Sequence, residues 1–316
     1  MRHGYTMRGV QGAADRAVHL ARLYLDWKAP GGRIHPTTRF RGRCCGILRA
    51  VRPPAQAEIY APEFPTGGEW LNVAFLRMNT LMGRGPVLVE FWDFARVNSL
   101  RTLPYLKRWH ERYSAAGLQV IGVHSPGYSF GRDREAVARA VERLAIPYAV
   151  LLDPELETWR LYGNKGWPGR YLFDRTGKLA LIHYGEGEYE DTERAIGECL
   201  ELDVEPLPPL RAEDASGLLL EPQTADIALP ADRDRLELVR DWTAGEDWLE
   251  AADAGAAASF SYRAGGAYAV LSGDDVETGL HECDGRVTAQ SPGLRLHGVQ
   301  FTPIPPSGAS VPPAPS

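Results

Sequence analysis

Asp93, Arg96, Asn98 and Ser99 follow directly on a strongly apolar run in the stretch VLVEFWDFARVNSLRTLPYL, residues 87–106. The pattern is a strand ending at Phe91-Trp92, a short bend and the start of a helix. Two chemistries suit such a junction. A helix N-terminus lowers a cysteine pKa and so supplies the thiolate that attacks disulfides. The same backbone N–H groups also favour a bound anion. The first chemistry needs a cysteine, and none stands between Cys45 and Cys199. Arginine cannot attack or resolve a disulfide, and a serine hydroxyl is a very poor substitute. For the second, Arg96 brings a fixed cation, and Asn98 and Ser99 bring hydrogen-bond donors. That cation opposes the helix dipole at a cost of roughly 0.3–1 kcal/mol. It therefore either has a ligand or is simply solvated.

The elements that position these residues are legible in the periodicity. Val87–Trp92 is a continuous apolar run, as in a strand buried on both faces. Val97–Ala116 is helical in pattern, with Pro104 as an expected kink. Leu118–His124 reads as a second buried strand, Arg132–Leu144 as an amphipathic helix, Tyr148–Leu152 as a short strand and Glu155–Tyr162 as a short helix. Arg170–Asp174 and Leu179–Tyr184 form a hairpin, and Glu190–Leu202 a closing helix. The order βαβ, αβ, ββα predicts an α/β fold, a mixed sheet flanked by helices. Strand ends then gather one rim. Trp92, Asp93, Arg96, Asn98 and Ser99 come from the first junction and His124 from the second strand. Trp167, Pro168 and Arg170 come from the start of the hairpin, and His183 and Glu186 from its end. Ligands of open α/β sheets sit at such ends. A rim without a present task is the alternative. Arg170, and His124 or His183 if protonated, would strengthen the anion reading.

The stretches APEFPTGGEWLN (61–72), residues 87–106, GLQVIGVHSP (117–126), GNKGWPGRYLFDRTGKL (163–179) and HYGEGEYEDTERAI (183–196) resemble, in order and spacing, the thioredoxin-like domain of TlpA/DipZ-type redoxins. The DipZ-type pattern runs close to Phe-Trp-Thr-Tyr-Thr-Cys-Ile-Asn-Cys, followed by Arg-Thr-Leu-Pro-Tyr. Asn98 and the Arg101–Tyr105 run match it. Arg96 and Ser99 occupy the two cysteine positions, so the resemblance is to a member whose dithiol is vacant. The family implies reduction or isomerisation of protein disulfides, the activity this vacancy puts in doubt. It aligns Pro168 with the cis-proline beside which an extended substrate peptide pairs with the backbone, a mode that needs no thiol. Glu90 takes the place of the buried acid that assists proton transfer. Without a thiol to serve, it would hydrogen-bond a neighbour or water.

The chain has 316 residues and a formal charge of −6, which suggests two domains. Residues 1–60 hold eleven Lys/Arg against three acids, and residues 201–316 hold seven against twenty. The basic segment 1–60 is either a solvated tail, a functional arm or the product of a mis-assigned start, with one amphipathic helix expected at 13–27. The expected divisions are a thioredoxin-like domain at 61–202, a Pro-rich linker at 203–216, a small β-rich domain at 217–303 and a disordered tail at 304–316. In the β-rich part, Ser259–Tyr262, Tyr268–Leu271, Arg286–Thr288 and Gly298–Phe301 read as short strands of a sandwich. DipZ-type proteins carry a jelly-roll, carbohydrate-module-like domain there, which residues 240–273 resemble. Trp242 and Trp248 either pack in the core or linker, or stack on a sugar.

The four cysteines are Cys44, Cys45, Cys199 and Cys283. They show no zinc spacing, and their sparse use fits either a reducing, cytoplasmic setting or a chain that does not use disulfides. No cofactor and no metal is expected. No apolar run is long enough for a membrane span, and the acidic balance argues against nucleic acid. Together these readings point to a redox-inactive thioredoxin-like protein that binds a peptide, protein or small anion at the vacant site. The alternative is an oxidoreductase that borrows Cys44 or Cys45.

Overall fold

The structure is a computed structural model that describes residues 48–51, 59–218 and 220–305. The expectations for Cys44, Cys45, the helix at 13–27 and the tail from 306 lie outside the described residues. In chain order the first part holds β1 (Leu48–Val51), β2 (Trp70–Leu71), α1 (Met78–Leu81), β3 (Val87–Trp92) and α2 (Val97–Tyr113). Then come β4 (Gln119–His124), α3 (Arg134–Arg143), β5 (Ala149–Leu152), α4 (Glu157–Leu161), β6 (Gly169–Phe173), β7 (Leu179–Tyr184) and α5 (Tyr189–Leu200). The seven strands form one sheet in the order β1-β7-β6-β3-β4-β5-β2. The β3–β4 and β4–β5 pairs are parallel, and the others are antiparallel.

Alternation along β3 divides the core. Val87, Val89 and Phe91 pack with Phe64, Tyr162 and Tyr171 on one face of the sheet. Leu88 and Trp92 pack on the other, with Leu103, Leu106 and Trp109 of α2 and Ile196 of α5. Glu90 shares that second face. The strands and helices stand within a few residues of the predicted ones. Helix α2 runs through Pro104 and ends at Tyr113, where a short 3-10 turn and the left-handed Gly117 replace the expected last turn.

The Pro-rich segment is not a free spacer. The Leu207 N–H donates to Glu193 Oε2 (2.8 Å), and the Leu210 N–H donates to Tyr105 Oη (2.7 Å). Arg101 Nη2 donates to Glu213 Oε1 (2.9 Å). The prolines lack N–H groups, and those of Leu207 and Leu210 are satisfied by side chains of α5 and α2. Composition signals an extended backbone but not the surface against which it lies.

The C-terminal region is built of antiparallel strands: β8 (Ile227–Ala228), β9 (Glu237–Val239), β10 (Trp242–Ala244), β11 (Leu249–Ala251), β12 (Ala257–Ser259), β13 (Gly266–Ser272), β14 (Gly279–Cys283), β15 (Arg286–Thr288) and β16 (Arg295–Thr302). One sheet runs β10-β11-β16-β13-β14, with β8 also paired to β16, and a second runs β15-β12-β9. Trp242 is buried in their common core with Leu249, Val299 and Phe301, so the sugar-stacking alternative is lost for that residue. Trp248 is half-buried, with the Arg295 guanidinium over its ring.

Candidate functional site

Asp93 turns the chain from β3 into α2. Its Oδ1 accepts the Ala95 N–H (2.8 Å), its Oδ2 accepts the Gly127 N–H (2.7 Å), and its own N–H donates to Ser99 Oγ (3.3 Å). The carboxylate therefore ties the loop after β4 to the start of α2. His124 lies behind it, with Nε2 3.6 Å from Asp93 Oδ1 and its ring stacked on Phe94. Burial pushes the Asp93 carboxyl up, but His124, Arg96 and the Ala95 N–H together hold it below the usual carboxylate range. His124 also lines a cavity of about 330 Å³ with Asp153, Arg132 and the backbone at Gly67 and Gly68.

Arg96 stands at the N-cap position of α2 with extended backbone. Its guanidinium lies between the rings of Tyr128 (4.5 Å) and Trp167 (4.8 Å). It packs on Gly127 so closely that a Cβ added there would sit 2.6 Å from Nη2. Trp167 is fixed in turn by its Nε1–H bond to the Ser125 carbonyl (2.8 Å), and its peptide bond to Pro168 is cis. Asp93 supplies opposite charge, while burial pushes the Asp226 carboxyl up and the nearby Arg96 charge only partly offsets that rise. The choice between ligand and solvent that the sequence leaves open has a third answer, a slot built from the chain's own rings and carboxylates.

The start of α2 is reached by β16. Gln300 Oε1 accepts the Val97 N–H (2.8 Å), and Gln300 Nε2 donates to the Ala95 carbonyl (2.6 Å) and to Tyr128 Oη (3.3 Å). Nearby, Asp247 accepts both the backbone N–H (2.6 Å) and the hydroxyl (3.0 Å) of Ser129. His297 bridges Asp247 (3.1 Å) and Ser272 (2.8 Å), enclosed by the rings of Tyr128, Phe130 and Trp248. The Asp247–His297–Ser272 row has the order of a catalytic relay, but His297 is 1% exposed. Here the row serves as a strut between the two parts of the molecule.

No family model matches the chain. Protein DipZ of Mycobacterium bovis is 36% identical over 143 residues, which is 44% of this chain and 20% of that protein. The thiol-disulfide oxidoreductase YkuV of Bacillus subtilis is 24% identical over 139 residues, covering 44% of this chain and 93% of that one. The solved structure of a thiol-disulfide isomerase from Corynebacterium glutamicum is 22% identical and covers 45% of this chain and 98% of its own, with a TM-score of 0.38. This part of the chain is a thioredoxin-like redoxin of the TlpA/DipZ type. The chain spans about a fifth of the length of the DipZ relatives that it matches.

In this redoxin, Asp93, Arg96, Ser99, His124, Trp167 and Pro168 lie about the start of α2 and the adjoining loops, while Trp92 is turned into the core against His124 and Asn98 follows in the first turn of α2. Arg170 and His183 do not face them. In the ladder, Glu90 on β3 stands opposite Arg170 on β6, which stands opposite His183 on β7. The row points beneath α2 and α5. Arg170 Nε donates to Glu90 Oε2 (2.9 Å), Nη2 to Oε1 (3.2 Å) and Nη1 to Thr192 Oγ1 (3.1 Å). Burial raises the Glu90 carboxyl, and the Arg170 charge opposes that rise. Of the two partners expected for Glu90, a neighbour or water, it takes the neighbour. Burial, then the Arg170 charge, depress His183 to about 3, so it is neutral at ordinary pH and adds nothing to an anion field. Glu186 is held by Arg101 (2.7 Å) rather than open to a ligand. A strand-end argument places residues along a strand, whereas the ladder register decides which face each side chain takes.

The sequence reading missed Tyr128, Asp226 and Gln300. Gln300 left one faint signal, a polar residue within the apolar alternation of LRLHGVQF. Among the described residues, no cluster of His, Cys, Asp and Glu could hold a metal, and no helix is long and apolar enough to cross a membrane.

Proposed function

We propose that this redoxin does not exchange disulfides by the two-thiol route and that its vacant site recognises a peptide or protein segment. The observation that carries the reading is Gln300. The Gln300 carboxamide caps the start of α2 beside Arg96, which the resemblance sets at the first thiol position, and both its donor and its acceptor are met by the backbone of Val97 and Ala95. Arg96 contributes by ordering Tyr128 and Trp167 around it. A small free anion fits less well, because Asp93 and Asp226 already face the cation. A cytoplasmic setting is part of the proposal, on the sparse cysteines alone.

The test is insulin reduction with dithiothreitol. The expected outcome is turnover indistinguishable from a control without the protein. Turnover that disappears when Cys44 and Cys45 are both changed to serine would instead establish the oxidoreductase alternative with borrowed thiols.

A further inference from the structure

The geometry points to a second binding site, for a small zwitterion of amino-acid size, in the cavity beside His124. That cavity, of about 330 Å³, has room for roughly ten waters at ~30 Å³ each, or for one such molecule. It lies where two parallel strands end. His124, the last residue of β4, is in register with Leu152, the last of β5. Crevices outside the carboxyl ends of strands are where open α/β sheets take ligands. The loop before β2 closes one side. Gly68 packs so near Leu151 that a Cβ there would come within 2.8 Å of Cδ1, and Glu69 pairs with Arg134 at the start of α3 (3.1 Å). His124 is the observation that points to a guest. It is 1% exposed, with Phe94 stacked on its ring and Trp92 edge-on. Its Nε2 stops 3.6 Å from Asp93 Oδ1, beyond hydrogen-bond reach, and has no hydrogen-bond partner among the described residues. Cε1, bonded to that nitrogen, lies 3.6 Å from where a Cβ of Gly131 would stand on the cavity wall. A buried polar atom without a partner calls for one, and the adjoining space can supply it.

The charged groups on the wall fix the class of guest. Arg132 comes from the turn before α3, and Glu155 and Glu157 come from the start of α4. None of the three has an ion pair among the described residues. Asp153, by contrast, is already used: it accepts the N–H groups of Thr158 (2.8 Å) and Trp159 (2.9 Å) and the Ser125 hydroxyl (2.8 Å). A lone anion would meet Arg132 but also two carboxylates, and a lone cation would meet the carboxylates but also Arg132. A molecule with an ammonium and a carboxylate meets each group with its opposite, through charge-assisted hydrogen bonds. Val137, Leu151 and Pro65 give its side chain an apolar wall. The guest is a free α-amino acid with an apolar side chain. Its binding does not depend on whether the slot around Arg96 takes a peptide.

The experiment titrates the full chain with L-leucine, with L-leucine amide, which keeps only the ammonium, and with N-acetyl-L-leucine, which keeps only the carboxylate. It is run at about pH 6, where the ammonium is charged. Thermal unfolding reads affinity, and the imidazole signals in ¹H–¹⁵N NMR read the place. Leucine should raise the Tm and shift the His124 ring signal. Each analogue should bind about tenfold more weakly, the loss of one charge-assisted hydrogen bond. Arg132→Ala should erase the difference between leucine and its amide. Glu155→Gln with Glu157→Gln should erase the difference between leucine and its acetyl derivative. All three side chains are exposed, so these variants should melt like wild type without ligand. No response to leucine, an equal response to either analogue, discrimination that survives the variants, or bound leucine that leaves the His124 signal unmoved would each overturn the assignment.

Discussion

Glu90 and Arg170 stand directly opposite each other on β3 and β6, and the guanidinium grips both carboxylate oxygens beneath Trp109 and Tyr189. Each side chain is about 1% exposed. The acid that the family resemblance assigns to proton transfer is thus neutralised in place, a structural pair rather than a proton carrier.

Breaking that pair from one side leaves a bare charge in the core. Glu90→Ala is expected to lower stability by about 3–5 kcal/mol. Replacing both partners by Met should cost clearly less than either single change, because no charge is then buried alone. Urea unfolding of the two singles and the double checks this. Additive losses would mean that the two groups do not depend on each other.

Arg96 contributes through its rings. Two cation–π contacts are worth about 0.5–1 kcal/mol each at half-exposed positions. Arg96→Ala should therefore cost about 1–2 kcal/mol and perturb the Trp167 fluorescence. Arg96→Lys should fall between, since an ammonium cannot stack as a plane on both rings. A stability unchanged in both variants would show that the guanidinium is only a passenger in its slot.

His183 sets a pH dependence. Its folded pKa lies at about 3 against an ordinary 6.5, so below 6.5 the unfolded chain takes up the proton first. The contribution is intact above 6.5 and is lost as pH falls toward 3, by up to about 1.4 kcal/mol per pH unit. His183→Gln, which keeps a donor for the Glu186 carbonyl, should flatten the stability profile between about pH 6 and pH 4 by that slope. Parallel profiles for variant and wild type would assign the acid sensitivity elsewhere.

The sequence by itself determined the redoxin fold. Val87–Trp92 is apolar at every position but Glu90, and only a strand covered on both faces stabilises such a run. No cysteine stands between Cys45 and Cys199, a fact of residue type that folding cannot alter. The local order of strand, bend and helix also brought Asp93 and Ser99 together, because contacts between residues this near in the chain follow from the backbone alone. Tertiary structure decided the rest. Whether Arg170 and His183 faced a ligand or the core depended on the pairing register of β3, β6 and β7, which no strand carries in its own sequence. Whether the site lay open depended on a contact between Val97 and Gln300, 203 residues apart. Periodicity reports which positions of an element are buried, not which distant element buries them. What caps the start of α2 is fixed only where the C-terminal sheet packs against it.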